Sequence, residues 1–261
     1  MNQIKTLLID VDGTFLRSDR SISQVVLAAI FKARKAGIMV GVCTGRQLPT
    51  LNLVFASLGT TGFHVISGGA QVYDAAKNDF IWDKQIASAE VKWLYQQITS
   101  LGGQVILGKK EVMYGEQGYL DHVKRKARGY KANLITNLGD DWSTPLISVS
   151  NLSSELIDFL DHQDKVMATH IFKNTPSAYY DLTPMGVTKI NGIKRLAEHL
   201  KIELNQIAGI GDGENDQQFL AHIGWPIAMG NAAQVIKQVA KNVVASNDED
   251  GVAEAIDLIL N

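Results

Sequence analysis

Short apolar runs alternate with helix-patterned segments at the start of this chain; the alternation stops near residue 72 and resumes at Lys189. That interruption constrains the fold more than any other feature. "IKTLLIDV" is a continuous apolar run bounded by turn residues, as expected of a strand covered on both faces. "SQVVLAAIFKARKAG" follows with helical spacing, serine near its start and Gly37 at its end. "IMVGVCT" reads as a second buried strand, "QLPTLNLVFASLG" as a second helix and "HVISGG" as a third strand. This order predicts a parallel sheet with right-handed crossovers. From residue 72 the pattern changes. "QVYDAAKNDFIWDKQI" reads as a hairpin, and short strands within 104–116, 145–150 and 166–182 fall among helices at 88–101, 118–128 and 153–163. Such runs predict an α+β module with an antiparallel sheet. After Lys189 strands and helices alternate again to the end. The chain therefore reads as α/β, with one discontinuous core (1–82 and 184–261) split by an inserted α+β domain (83–183) of ordinary domain size.

The first strand runs directly into "DVDGT". Residues two apart on a strand face the same way, so Asp10 and Asp12 start on one side and Gly13 permits a sharp exit. In open parallel sheets ligands bind beyond the carboxyl ends of the strands. Two adjacent carboxylates raise each other's cost of ionising, and a hard cation such as Mg²⁺ removes that cost through oxygen ligands. A turn needs one such residue and rarely two after an apolar run, so capping alone is the weaker account. "CTGR" follows the second strand: Thr44 offers a hydroxyl, Gly45 lets its backbone approach a ligand, and the helix expected to begin there would add its N-terminal dipole. That is phosphate-cradling chemistry, although Thr-Gly is also an ordinary strand-to-helix turn. "GDGEND" brings Asp212, Glu214 and Asp216 to another strand end, with Asn215 among them, and Lys189 in "GVTKING" is the natural counter-charge. Capping and solvated first-turn acids account for some of these carboxylates, but their convergence again implies a metal.

Composition narrows the class. The chain has 261 residues, is 46% hydrophobic and 20% charged, and carries a formal net charge of -2. That is ordinary globular composition, and no nucleic-acid partner is expected. The longest basic cluster, "KRKAR" at 124–128, reads as a solvated helix face. No apolar run reaches the length of a membrane span, and the N-terminus lacks a signal-peptide pattern. The single cysteine, Cys43, sits in an apolar strand and fits a core position in a reducing cytoplasm. The histidines show no metal-ligand spacing, and neither a Walker A loop nor a dinucleotide glycine fingerprint is present.

Taken in order and spacing, "DVDGT", "TGR", "GVTK" and "GDGEND" resemble the haloacid dehalogenase (HAD) superfamily. The insertion between "TGR" and Lys189, with "IAMGNA" and "NDEDGVAEAI" near the end, is similar to its Cof-type, class IIB phosphatases. The resemblance implies a Rossmann-like core with an inserted cap and Mg²⁺-dependent hydrolysis of small phosphorylated metabolites, sugar phosphates or similar. It implies Asp10 as nucleophile and Asp12 as general acid, then base. Mg²⁺ would be held by Asp10, the Asp12 carbonyl and Asp212. Phosphate would meet the Val11 backbone, Thr44, Gly45, Lys189 and Asn215, with Asp216 supporting Lys189 or the metal. The chain departs from the family at Gly68, where an asparagine is usual. A phosphomutase of the same superfamily is the nearest alternative. A phosphate-switched module resembling response-regulator receivers is more remote, because those are single small domains.

Overall fold

The computed structural model describes residues 3–59, 61–126, 130–171 and 178–261. The chain begins with β1 (Thr6–Ile9), α1 (Gln24–Lys35), β2 (Met39–Val42), α2 (Asn52–Leu58) and β3 (Phe63–Ile66), then a hairpin of β4 (Gln71–Asp74) and β5 (Asp79–Asp83). The middle stretch holds α3 (Ser88–Ser100), β6 (Gln104–Lys109), β7 (Val112–Gly115), α4 (Gln117–Lys126), β8 (Lys131–Leu134), β9 (Ile147–Ser150), α5 (Ser154–His162), β10 (Val166–Ile171) and β11 (Tyr179–Pro184). The last holds α6 (Lys189–Leu200), β12 (Ile207–Gly211), α7 (Gln217–Leu220), β13 (Trp225–Ala228), α8 (Gln234–Val239), β14 (Asn242–Val243) and α9 (Gly251–Leu260).

The first sheet has the order β14-β13-β12-β1-β2 and is parallel throughout. Every residue of β1 and β12 is buried, as strands covered on both faces must be. α1 packs on α9, and α7 packs against β12 and β13. The α1 N-terminus is fixed by Ser23, whose hydroxyl accepts from the Val25 amide. The β1–β12–β2 register brings Asp10, Cys43–Thr44 and Gly211–Asp212 to one edge.

The second sheet has the order β10-β11-β9-β6-β7-β8 and is antiparallel except for the β7–β8 pair. It has its own apolar cluster, centred on Leu94, Ile98, Leu107, Val149, Leu156 and Tyr180. The first sheet's cluster is separate and runs from Leu7 to Ile256. β8 has no counterpart among the expected strands; "KANL" is exposed along most of its length, so no apolar pattern marks it.

Two expectations about the first sheet need correction. "HVISGG" does not continue it. β3 pairs in a ladder with β4, and β4 with β5, in a third, antiparallel sheet. It still runs beside β2, through a parallel Cys43–Val65 bridge just past β2 and the Val42 amide on His64 Nδ1. No α-helix begins at "CTGR" either. Thr44 and Arg46 give their carbonyls to the Gly68 and Ser67 amides, a 3-10 turn follows at Leu48–Thr50, and α2 starts only at Asn52. The basic run at 124–128 lies outside the residues whose side chains are described. Cys43 is fully buried, as expected, and burial pushes its thiol well above the usual range. No described helix is long and apolar enough to cross a membrane.

Candidate active site

β1 ends in a tight turn. The Asp10 amide still pairs with Ile210, while the Asp10 and Val11 carbonyls accept from Phe15 and Leu16. Gly13 sits at φ 84°, and a Cβ there would lie 2.3 Å from Asp212 Oδ2. Glycine is required twice over, by backbone hand and by the approach of β12. The turn is clamped from the C-terminal segments. Asn231 Nδ2 donates to Gly13 O (2.8 Å), Asn247 Nδ2 donates to Leu16 O (2.9 Å), and the Asn247 amide donates to Asn231 Oδ1 (3.0 Å). Asp248 and Asp250 take up Ser18 and Arg17. These contacts give the "IAMGNA" and "NDEDG" segments a physical task that the sequence did not disclose.

Lys189, at the start of α6, extends beneath the turn. Its ammonium donates to Asp10 Oδ1 at 2.6 Å and to Asp216 Oδ1 at 2.5 Å, and the group is only 4% exposed. The other oxygen of Asp216 accepts from the Asp212 and Gly213 amides, both at 3.1 Å. Asp212 accepts from Thr14 Oγ1 at 2.7 Å. Ligand oxygens of Asp10, Asp212 and Asp216 lie within 4.8 Å of one another. Three carboxylates face one ammonium, so two negative charges stay uncompensated if all ionise. Burial and the neighbouring carboxylates accordingly raise Asp10 well above the usual carboxylate range, despite Lys189. Burial likewise lifts Asp212 to about 7, with Asp216 adding to the rise. Burial alone would lower Lys189, but Asp10 and Asp216 outweigh it and hold the ammonium well above its usual value.

Asp12 belongs to a different arrangement. Arg46 grips it with two bonds of 2.7 Å, from Nε to Oδ2 and from Nη2 to Oδ1. Burial pushes this carboxyl up, but the charge and hydrogen bonds of Arg46, with Arg20 and Lys189, bring it below the usual range. Arg46 was quoted in the "TGR" motif without a role. A guanidinium two residues beyond Thr44 is the signal that could have identified it.

Thr44 is buried, and its hydroxyl accepts from the Arg46 amide at 3.1 Å. Thr44, Gly45 and Asn215 line a cavity of about 1050 Å³ together with Asp10, Asp12 and Asp212. Small-molecule sites occupy roughly 300–1,000 Å³, so the space suits a metabolite. Val11 is fully buried behind the turn, and Lys189 and Asp216 lie beneath the cavity floor. The second sheet supplies the facing wall, including Gln104, Ser148, Tyr179 and Asp181, with Tyr119 added from α4. The sheets meet at Gln47, whose Oε1 accepts from the Gly108 amide at 2.6 Å, and at Gly68, where a Cβ would touch Thr183. Gln47 and Asp181 lie beyond the motifs that sequence reasoning used.

A family model described as haloacid dehalogenase-like hydrolase matches residues 7–256. A Streptococcus pyogenes serotype M6 protein is 30% identical over 97% of each chain. A 5-amino-6-(5-phospho-D-ribitylamino)uracil phosphatase of Escherichia coli is 28% identical, covering 98% of this chain and 96% of that one. Among solved structures, a haloacid dehalogenase-like hydrolase from Bacteroides thetaiotaomicron superposes with a TM-score of 0.87 at 22% identity, covering 98% of this chain and all of its own.

Proposed function

The chain belongs to the haloacid dehalogenase-like hydrolases and is a phosphoric monoester hydrolase of that family; from this premise we propose that it is an Mg²⁺-dependent cytoplasmic phosphatase acting on sugar phosphates or similar small metabolites, through an aspartyl-phosphate on Asp10. One observation carries the reading: a buried cluster at the strand ends in which three carboxylates face one ammonium, two negative charges in excess when all are ionised, opening onto a cavity beside Thr44 and Gly45. A divalent cation matches that charge, and carboxylate oxygens are the donors Mg²⁺ prefers.

Asp10, Asp212 and the Asp12 carbonyl would hold the ion. Asp216 is saturated by Lys189 and two amides, which favours a supporting role. When bound, the ion neutralises phosphate charge and lets a carboxylate approach an anionic ester. Asp10 is held through Oδ1 by Lys189, and its carboxylate attacks phosphorus as the ester P–O bond breaks. The leaving oxygen takes a proton from Asp12. Water then attacks the aspartyl-phosphate, gives its proton to Asp12, and releases phosphate and free Asp10. Arg46 holds Asp12 as the ionised carboxylate, which suits the second half. The first half requires Arg46 to give up part of its grip so that Asp12 carries a proton. Thr44, Gly45, Asn215, the Val11 backbone and Lys189 position the phosphoryl oxygens. Residues 83–183 act as a cap that excludes bulk water.

The experiment is phosphate release from a panel of phosphorylated metabolites, with Mg²⁺ and with excess chelator. Activity is expected with the metal and abolished by the chelator. Undiminished turnover in chelator, verified metal-free, contradicts the metal assignment.

A further inference from the structure

The steps above leave one buried carboxyl of the cavity without a task. Asp181 stands on β11, in the second sheet, and is 7% exposed. Ser148 on the neighbouring strand β9 donates its hydroxyl to Asp181 Oδ1 at 2.6 Å, which fixes the side chain. The second oxygen turns the other way. A Cβ added to Gly45 would lie 3.0 Å from Asp181 Oδ2, so this oxygen rests against the turn that cradles phosphate in the reading above. No other carboxylate of the second sheet lines the cavity among the described residues. Burial raises Asp181 to about 7; Ser148 and the more distant Lys189 pull it down, and Asp12 pushes it up.

A buried carboxyl costs free energy unless its lone pairs are used. Ser148 uses one oxygen, and the other faces the space beside the phosphate turn. A hydrogen-bond donor on the substrate would satisfy it there, and a second anion would be repelled by it. Neither attack on phosphorus nor proton transfer to the ester oxygen needs this group, because Asp10 and Asp12 supply both. Its effect should therefore depend on the leaving group rather than on the phosphoryl group.

We infer that Asp181 is a specificity-determining residue: it accepts a hydrogen bond from a hydroxyl or ammonium group close to the ester oxygen, and it disfavours leaving groups that carry a carboxylate there. The inference rests on the phosphatase reading and narrows its substrates to esters of polyhydroxylated or amino alcohols.

The test compares kcat/KM for ribitol 5-phosphate, pentyl phosphate, 2-phosphoglycolate and p-nitrophenyl phosphate at pH 8, where Asp181 is ionised. It uses wild type, Asp181→Asn, Asp181→Ala and Ser148→Ala. For Asp181→Ala, the ratio of ribitol 5-phosphate to pentyl phosphate should fall at least tenfold. For Asp181→Asn, 2-phosphoglycolate should gain severalfold relative to p-nitrophenyl phosphate. Ser148→Ala releases the carboxyl from its anchor without removing it, so it should lower the ribitol-to-pentyl ratio by less. It also keeps the question answerable if the Asp181 variants do not fold. Equal losses on all four esters, or no relative gain for 2-phosphoglycolate, overturn the inference alone. A wild-type protein that releases phosphate from none of them overturns the phosphatase reading and the inference with it.

Discussion

The two large sheets enclose one cavity but present opposite chemistry to it. The parallel sheet brings a cluster of charges to its carboxyl edge: three carboxylates around Lys189, and Asp12 clamped by Arg46. The antiparallel sheet brings hydroxyl, amide and imidazole groups and apolar side chains, with Asp181 its one carboxyl among the described residues. The difference follows from topology. Parallel strands all end on one side, so the loops after β1, β2 and β12 converge there without further design. An antiparallel sheet gathers no ends; it offers a face on which alternate side chains can vary independently. The first arrangement suits chemistry common to every substrate, and the second suits discrimination between substrates.

The sharpest way to break this division is at Asp10. Asp10→Asn keeps the side chain's shape and removes the charge proposed to attack phosphorus. Turnover should fall by at least about a thousandfold on every ester, as for other nucleophile replacements. Circular dichroism should show the fold retained. A loss of less than tenfold would remove Asp10 from the nucleophile role.

Lys189→Met comes next. It should cost about a hundredfold in kcat/KM across a substrate panel, because all esters share the phosphoryl group. It also leaves Asp10, Asp212 and Asp216 facing one another with no cation from the chain. Breaking a buried ion pair in this way costs about 3–5 kcal/mol. The thermal midpoint should therefore drop, and added Mg²⁺ should recover more of it than in wild type. A loss confined to one substrate would move Lys189 from the shared chemistry to leaving-group recognition.

How much of this was legible beforehand follows the same division. The parallel sheet announces itself because its strands are covered on both faces and appear as unbroken apolar runs: "TLLI" and "IAGIG" are buried at every residue. Asp10, Asp12, Thr44 and Asp212 could be gathered beforehand because motifs at strand ends fall together once the strands are parallel; Lys189, at the start of α6, was reached only as the counter-charge those acids call for. β8 was not, since an exposed edge strand carries no apolar signal. β3 lies between two neighbours: a parallel bridge at Cys43–Val65 ties it to the first sheet's edge, while its full ladder, Phe63–Ile66 on Gln71–Asp74, is antiparallel with β4, and burial on both sides fits either pairing. Gln47 and Asp181 carry no local signal: they stand in no strand-end motif, and their partners, Gly108 and Ser148, lie 61 and 33 residues away along the chain. Arg46 differs, since it stands inside "TGR" and its guanidinium two residues beyond Thr44 was the available sign of its grip on Asp12.

A smaller effect separates the sheets by pH. His64 on β3 is fully buried, and its Nδ1 accepts from the Val42 amide at 3.2 Å, while Nε2 has no partner among the described residues. Burial, reinforced by the Arg34 charge, lowers its pKa to about 4. The folded value lies below the unfolded value of about 6.5, so this contribution to stability is complete above pH 6.5 and lost as pH falls toward 4. The loss amounts to about 3 kcal/mol at pH 4. His64→Gln keeps an acceptor for Val42 and does not titrate, so its stability should decline less on acidification. Amide exchange should show wild type loosening first in β2 and β3 rather than in β6 and β9. A parallel decline in both proteins would place the acid sensitivity elsewhere.

The least disruptive test acts on the junction itself. Gln47 comes directly after Arg46, and its Oε1 accepts from Gly108 on β6. Gly108 lies just past the β6–β9 pairing, which ends at Leu107–Ile147, so its amide has no partner on β9. Gln47 supplies the acceptor from the first sheet's side, while Thr144 Oγ1 donates to the Gly108 carbonyl from the segment that precedes β9. A buried amide left without an acceptor costs about 1–3 kcal/mol. Gln47→Leu should therefore weaken the hold between the sheets by about that amount while leaving each apolar cluster intact. The Gly108 amide should exchange faster, KM should rise on all esters, and the substrate order should not change, since the wall bearing Asp181 is untouched. Thr144→Val is the matched control: it removes the hydroxyl's bonds to the Gly108 and Leu146 carbonyls, both on the second sheet's side of the junction, so its destabilisation should remain there. If Gln47→Leu reorders substrates while Thr144→Val alone speeds exchange at Gly108, then the junction rather than the wall sets specificity, and the division between the two sheets fails.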